Sequence, residues 1–137
     1  MKSSDLLIII PAYNEEGSIE NVVNNIIQNY SQYDYVIIND GSKDRTSAIC
    51  HANSYNIVDL PVNLGLAGAF QTGLRYAYEQ GYKKAVQFDA DGQHLPEYIS
   101  VLEAKMNEDY EMVIGSRFVT EKRETSLRMM GNILISA

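Results

Sequence analysis

Short apolar runs alternate with helix-like segments along the whole chain. Residues 6–10 form the first run, and similar runs occupy 35–38, 57–60, 85–88 and 111–117, the last with a polar end. Continuous apolar runs of this length are typical of strands that are buried on both faces, as in parallel sheets. We therefore expect a strand at each of these places.

The segment between the first two strands carries the clearest helical pattern. Its apolar residues recur at steps of three and one, which places them on one face of a helix. Asn14 could cap this helix, because an Asn side chain can accept bonds from the free amides at a helix start. The apolar positions are Ile19, Val22, Val23, Ile26, Ile27 and Tyr30.

Further helices are expected in the remaining intervals. One ends near Asn53, the next lies between Asn63 and Gly81, and the last covers about 96–107. A chain in which strand and helix alternate in this way builds a parallel sheet that is covered by helices on both faces. The pattern therefore predicts an α/β fold with a Rossmann-like, mostly parallel sheet.

Polar residues follow the predicted strands at the points where the strands end. In open α/β sheets, ligands bind beyond the carboxyl ends of the strands. Because these ends share one edge of the sheet, we expect the polar residues to form one site. They are Tyr13 and Glu15 after the first strand, Asp40 after the second, Asp89 and Asp91 after the fourth, and Arg117 after the fifth.

The strand at 85–88 is followed by two carboxylates, Asp89 and Asp91, that are separated by one residue. In an extended chain both side chains lie on the same side, so both could face one ion. A hard divalent cation, Mg²⁺ or Mn²⁺, suits two carboxylates that share it with substrate phosphates. The alternative is a polar turn without a ligand, because Asp and Gly are ordinary turn residues.

Composition narrows the classes of function. The chain has 137 residues, which fits one domain with a real core. Its net charge of −7 argues against broad binding to nucleic acid phosphates. The single Cys50 excludes an internal disulfide and is consistent with a reducing, cytoplasmic compartment. We expect no secretory signal peptide, since the apolar run at 6–10 is too short for one.

The familiar nucleotide-binding loops are absent from the sequence. Neither G-x-G-x-x-G after the first strand nor G-x-x-x-x-G-K-[ST] occurs. A nucleotide would then be held through a metal ion and a few side chains. Asp40 could accept a hydrogen bond from a base or ribose, and Tyr13 could stack on a base.

Five motifs follow one another along nearly the whole chain. They are Pro11-Ala12-Tyr13-Asn14-Glu15-Glu16, Asn39-Asp40-Gly41-Ser42-x-Asp44-x-Thr46, Asn63-x-Gly65, Phe88-Asp89-Ala90-Asp91-Gly92-Gln93-His94 and Gly115-Ser116-Arg117-Phe118. In this order and spacing the chain resembles the family 2 glycosyltransferases. Within them it is most similar to the polyprenyl- and dolichyl-phosphate sugar synthases. Five linked motifs are far more specific than any one of them.

The resemblance implies a GT-A fold and an inverting transfer of a sugar from a nucleotide-diphosphate donor. It implies that Asp89 and Asp91 bind the metal, Mg²⁺ or Mn²⁺, which bridges the donor diphosphate. The nucleotide-sugar-binding residues that it implies are Pro11, Tyr13, Glu15, Asp40, Asp89, Ala90, Gln93 and Arg117.

The resemblance also implies the partners. The donor would be a UDP- or GDP-sugar, and the acceptor a polyprenyl phosphate or a growing glycan of the cell envelope, with no part for nucleic acid. A cytoplasmic protein at the inner face of the membrane would meet both. A hydroxyl acceptor needs a general base, whereas a lipid phosphate is already ionised at neutral pH. No convincing base is evident in the sequence.

Members of this family usually run well beyond 137 residues, with acceptor-site motifs after the Gly-Ser-Arg strand. We therefore expect residues 1–137 to be a single nucleotide-sugar-binding domain that is truncated at its C-terminus. Any general base would lie beyond Ala137, so this chain could be inactive alone. Apolar surface left by the missing part could support a homodimer.

Other classes remain open. A non-catalytic nucleotide-sugar-binding domain would carry the same donor motifs. A Mg²⁺-binding receiver-type signalling module has a similar length and alternation, and fold alone does not separate the two functions. Such a module needs an acidic pair after strand one and a Lys after strand five, where this chain has Pro11 and Arg117. A nucleotidyltransferase would want a Gly-rich, basic loop after strand one, which is missing.

Overall fold

The computed structural model describes residues 4–88, Ala90 and the backbone of residues 112–114. In this part of the chain, five strands form one sheet in the order β3-β2-β1-β4-β5, and every neighbouring pair is parallel. The elements are β1 (Leu6–Ala12), α1 (Ile19–Asn29), β2 (Asp34–Asn39), α2 (Thr46–Ala52), β3 (Ile57–Asp59), α3 (Gly65–Glu79), β4 (Lys84–Gln87) and β5 (Met112–Ile114).

The central strand is β1, and all seven of its residues are buried. It pairs with β2 as far as Ala12↔Asn39 and with β4 only as far as Ile9↔Gln87. The strand is longer than the apolar run predicts, because it continues through Pro11. The Ile9 carbonyl points toward β4, because it accepts a hydrogen bond from the amide of Phe88. Backbone groups two residues apart point to the same side of a strand, so the nitrogen of Pro11 also points toward β4. It lies beyond the last residue pair that β1 and β4 form, so no bond to β4 is lost there. A proline without an amide is tolerated there.

Alternate residues of β1 pack into two separate cores. Ile8 and Ile10 pack with α1 and with Cys50 of α2 on one face of the sheet, and Ile9 packs with Phe70 of α3 on the other. This alternation follows from the period of two in a strand. The predicted α/β fold, with a parallel sheet and helices on both faces, is confirmed.

The start of α1 differs from the sequence expectation. The helix has Ser18, not Asn14, as its N-cap residue. Asn14 adopts a φ of +54°, and its side-chain oxygen accepts a bond from the amide of Lys43 at 2.9 Å. Asn14 therefore holds the loop after β2 instead of capping the helix. Most of the predicted apolar stripe is buried, but Ile27 is 43% exposed.

Some predictions fall outside the described residues. These are the helix at 96–107 and the site residues Asp89, Asp91, Gln93 and Arg117. The fifth strand, predicted at 111–117, is confirmed over Met112–Ile114, which form β5. Among the helices that the structure describes, none combines the length and the hydropathy that a membrane crossing requires.

Candidate functional site

The carboxyl edge of the sheet carries a cleft with a volume of about 430 Å³. Residues from the ends of β1 and β2 line it together with Ala90, which follows β4. The predicted site residues that the structure brings together there are Pro11, Tyr13, Glu15, Asp40 and Ala90. These five are all the predicted site residues that lie in the described part of the chain, and each of them lines this cleft.

One wall of the cleft is not predicted from the sequence. Leu66 and Ala69, in the first turns of α3, line the cleft beside Asn63 and Gly65. Leu66 is 60% exposed. The sequence signal that could have identified this wall is the position of a large apolar residue, Leu66, directly after the Asn63-x-Gly65 motif.

Tyr13 is the one aromatic residue among the predicted site residues. It is 42% exposed, whereas Ala12 beside it is 3% exposed. The ring therefore stands at the cleft on a strand end that is itself fixed in the core. An exposed ring on a rigid support is able to stack on a flat ligand group.

Asp40 is buried, at 3% exposure, and its carboxylate holds the start of α3. The amide of Leu64 donates to Oδ1 at 2.6 Å, and the amide of Gly65 donates to Oδ2 at 3.0 Å. These amides belong to the helix start, where backbone donors lack partners within the helix and favour a negative charge. A carboxylate has about four lone-pair positions, so each oxygen retains acceptor capacity toward a ligand.

Gly41 allows this close approach of two loops. It adopts a φ of +72°, and a Cβ atom built on it would lie 2.6 Å from the amide nitrogen of Asn63. Any larger residue would strain the backbone and push the loop before α3 away from Asp40. The Asp40-Gly41 pair therefore sets the distance between β2 and the α3 wall of the cleft.

Hydrogen bonds in both directions join the loop after β1 to the loop after β2. They hold the backbone on either side of Glu15, a cleft residue whose amide donates to the Thr46 hydroxyl. The motifs around Asn14 and Asp44 thus position the site. The bonds are Asn14 N to Ser42 Oγ at 2.9 Å, Glu15 N to Thr46 Oγ1 at 2.9 Å, Glu16 N to Asp44 Oδ2 at 3.1 Å, Lys43 N to Asn14 Oδ1 at 2.9 Å and Arg45 N to Glu16 Oε1 at 3.0 Å.

Asp44 is the anionic centre of this loop junction. Burial alone would raise the pKa of its carboxyl, but the hydroxyl and amide of Thr46 and the amide of Glu16 donate to it and outweigh that effect. The pKa of Asp44 is therefore lowered, because hydrogen bonds to a carboxylate favour its charged form.

The third loop of the cleft is tied to the first by Ser18. Its hydroxyl lies 2.6 Å from the backbone oxygen of Ala90 and 3.2 Å from Oε1 of Glu15. Ala90 is 2% exposed. One side chain thus contacts two residues of the cleft that are far apart in sequence.

The residues proposed as metal ligands lie outside the described part. Within residues 4–88 and Ala90, no three His, Cys, Asp or Glu side chains are gathered in a way that could hold a metal ion. Asp89 and Asp91 flank Ala90 in sequence, and Ala90 lines the cleft together with Glu15 and Asp40. A set of carboxylate oxygens is the donor chemistry that suits Mg²⁺ or Mn²⁺.

Several curated proteins that are similar to the chain are named as transferases or synthases of sugar-carrying lipid phosphates. The UDP-N-acetylglucosamine–dolichyl-phosphate N-acetylglucosaminyltransferase of Methanococcus voltae is 38% identical over an alignment length of 152 residues, and the match covers 96% of this chain and 60% of that protein. The polyprenol monophosphomannose synthase of Mycolicibacterium smegmatis is 30% identical over 119 residues, covering 82% of this chain and 45% of that protein. The chain spans about half the length of the curated relatives it matches.

Solved structures share the fold. Glucosyl-3-phosphoglycerate synthase from Mycobacterium tuberculosis, in complex with UDP, superposes with a TM-score of 0.53 at 25% identity, over 63% of this chain and 33% of that one. The same enzyme with Mn²⁺ and UDP-glucose gives a TM-score of 0.61 at 23% identity, over 74% of this chain and 38% of that one. These matches confirm the GT-A type of the sheet.

The family model described as Glycosyl transferase family 2 matches residues 7–135, which is nearly the whole chain. The chain therefore belongs to glycosyl transferase family 2.

Proposed function

We propose that this chain is the donor-binding part of an inverting glycosyltransferase. It would transfer a sugar from a nucleotide-diphosphate sugar to a polyprenyl phosphate, with Mg²⁺ or Mn²⁺ on the diphosphate. The observation that carries the proposal is the cleft, where Tyr13, Asp40 and Ala90, from three separate motifs, meet at the carboxyl edge of a parallel sheet. That edge is where sheets of this class bind ligands.

The described residues supply a nucleoside site. The exposed ring of Tyr13 would stack on the base, and the buried Pro11 of β1 lines the same cleft. Asp40 would accept from the base or ribose with the lone pairs that the α3 amides leave free. Because Asp40 is held by two backbone donors, it would present these lone pairs in a fixed direction.

Asp89 and Asp91 would hold the divalent metal, and Gln93 and Arg117 would complete the donor site. When bound, the metal stabilises the charge that develops on the leaving diphosphate. The donor set fits such an ion, since two carboxylates one residue apart flank Ala90 of the cleft wall. The M. tuberculosis enzyme that shares this fold was solved with Mn²⁺ and UDP-glucose.

A UDP-sugar is the donor that we propose first. The M. voltae relative is named for a UDP-sugar, and the structural relative at 25% identity was solved with UDP. The names of the curated relatives also support a lipid-phosphate acceptor. A phosphate acceptor is already an anion at neutral pH and needs no general base. Such an acceptor is a membrane lipid, so transfer would take place at a membrane surface, at its cytoplasmic face.

The proposal is tested by sugar transfer into lipid. The chain is incubated with Mn²⁺, a polyprenyl phosphate and radiolabelled UDP-N-acetylglucosamine, UDP-glucose or GDP-mannose in turn, and label is counted after organic extraction. We expect label in the lipid phase with one donor. Because the chain spans only about half of its relatives, a second candidate is a non-catalytic donor-binding domain. Nucleotide binding without any transfer would favour that candidate.

A further inference from the structure

Ser18 occupies the N-cap position of α1, but its side chain does not cap the helix. No hydrogen bond runs from its hydroxyl to the first-turn amides. An N-cap Ser ordinarily accepts such a bond. Its hydroxyl lies instead 2.6 Å from the backbone oxygen of Ala90. The side chain is thus used for a tertiary contact.

The contact gives the buried backbone carbonyl of Ala90 a hydrogen-bond donor. This residue is 2% exposed, and a buried backbone carbonyl needs a donor. Ser18 supplies it across 72 positions of sequence. The bond joins the loop after β1 to the loop after β4, the two loops that carry Glu15 and the proposed metal ligands.

The geometry also ties Ser18 to the acidic side of the cleft. Its oxygen lies 3.2 Å from Oε1 of Glu15, and Glu15 is fixed in turn through its amide by Thr46 Oγ1 at 2.9 Å. A hydroxyl has one proton, and the shorter contact marks the Ala90 carbonyl as its main acceptor. Ser18 therefore sets the spacing between Glu15 and the Ala90 peptide.

We propose that Ser18 is a positioning residue for the loop after β4, which carries the proposed metal ligands Asp89 and Asp91. The Ala90 carbonyl shares a rigid peptide plane with the amide of the next residue in sequence, the proposed metal ligand Asp91, so a bond to that carbonyl acts on the peptide that links the two residues. The inference rests on the proposed function in one respect: the importance of this loop depends on its binding the metal. The contact itself does not depend on it.

The test compares variants that lack the hydroxyl with variants that keep it. Ser18→Ala and Ser18→Gly remove it, and Gly is a tolerated N-cap residue, so at least one of the two should fold. Ser18→Thr restores the hydroxyl. Ser31→Ala, at an exposed serine beyond the C-terminal end of α1, is the matched control.

The first readout is hydrogen exchange of the peptide covering residues 86–92, without metal or nucleotide. We expect exchange several-fold faster in the two variants without the hydroxyl and unchanged exchange in Ser18→Thr and Ser31→Ala. Exchange in residues 34–39 of β2 should not change in any variant. Unchanged exchange over 86–92 in Ser18→Ala and Ser18→Gly would overturn the inference, whatever the protein binds.

The second readout is the Mn²⁺ concentration that half-saturates UDP binding. We expect it to rise about tenfold without the hydroxyl, as is usual for residues that orient metal ligands, and to recover in Ser18→Thr. Faster exchange with an unchanged Mn²⁺ requirement would show a purely structural contact and would contradict the positioning role. A wild-type chain without metal-dependent UDP binding would contradict the proposed function instead, while the exchange result still decides whether Ser18 holds the loop.

Discussion

The amide of Gly65 donates a hydrogen bond to Oδ2 of Asp40 at 3.0 Å, which joins the end of β2 to the first residue of α3. The amide of Leu64 binds the other carboxylate oxygen at 2.6 Å. One buried side chain thus closes one wall of the cleft. The residue expected to contact a nucleoside is also the residue that fixes the surface around that nucleoside.

Replacing Asp40 should therefore affect both stability and binding. Asp40→Ala leaves two backbone amides without their charged acceptor, and we expect a loss of about 2 kcal/mol in the free energy of unfolding. Nucleoside binding should weaken even without metal. Urea unfolding and calorimetric titration with uridine measure the two effects. Glu79→Ala, which removes an exposed pair with Arg75, is the control and should change stability by about 0.5 kcal/mol or less. A stability equal to that of the wild type would show that the α3 contact contributes nothing.

Gly41 should tolerate no side chain. Its φ of +72°, and the distance of only 2.6 Å that would separate a Cβ atom from the Asn63 amide nitrogen, predict that Gly41→Ala costs about 1–3 kcal/mol. Gly17→Ala is a matched control, because nothing lies within 4 Å of a Cβ at that position. Thermal unfolding of the two variants gives the comparison. Equal melting temperatures for both would show that the loop before α3 yields freely.

Because of Asp44, the free energy of unfolding should decrease at acid pH. Its pKa is lowered from the ordinary value of 3.8, so its ionised form stabilises the fold above that pH, and this contribution disappears as the pH falls through the lowered pKa. We expect the free energy of unfolding to fall below about pH 4. The fall should be smaller in Asp44→Asn. Urea unfolding between pH 7 and pH 3 measures this fall. An equal fall in the free energy of unfolding in wild type and Asp44→Asn would contradict the lowered pKa of Asp44 as its cause.

Two buried tyrosines offer a comparison of hydrogen-bond strength. Tyr82 donates to Oδ2 of Asp34 at 2.7 Å, and Tyr55 donates to Oδ1 of Asn24 at 2.6 Å. A bond to a carboxylate stabilises more than a bond to a neutral amide, so Tyr82→Phe should cost about 2 kcal/mol and Tyr55→Phe about 1 kcal/mol. Both rings stay in place, which leaves the hydroxyl as the only change. Chemical denaturation that ranks them in the opposite order would refute the comparison.

The order of elements could be predicted because each strand is a local apolar run with a polar end. The length of β1 could not, since Pro11 ordinarily ends a strand and is accepted here only because β4 no longer pairs beside it. The predicted start of α1 is wrong for a related reason. Asn14 has the chemistry of a cap, but its partner is the amide of Lys43 in another loop.

For the site, too, the sequence predicts positions along the chain but not the contacts between loops. The sequence places Tyr13, Glu15 and Asp40 at strand ends, and the structure brings them to one cleft. The sequence does not reveal that the carboxylate of Asp40 accepts hydrogen bonds from the amides of Leu64 and Gly65, because that contact depends on how two loops pack. Nothing in the local sequence marks Ser18, whose partner lies 72 residues away.

Binding of a nucleotide diphosphate in this cleft through a divalent metal is what the proposed function requires above all. It is measured by calorimetric titration of the chain with UDP, GDP and their sugars, with and without Mn²⁺, and Asp91→Ala is the matched variant. We expect metal-dependent binding of one nucleotide by the wild-type chain and its loss in Asp91→Ala with the fold intact. Binding that is equally tight without metal, or unchanged in Asp91→Ala, would refute a metal-bridged nucleotide in this cleft.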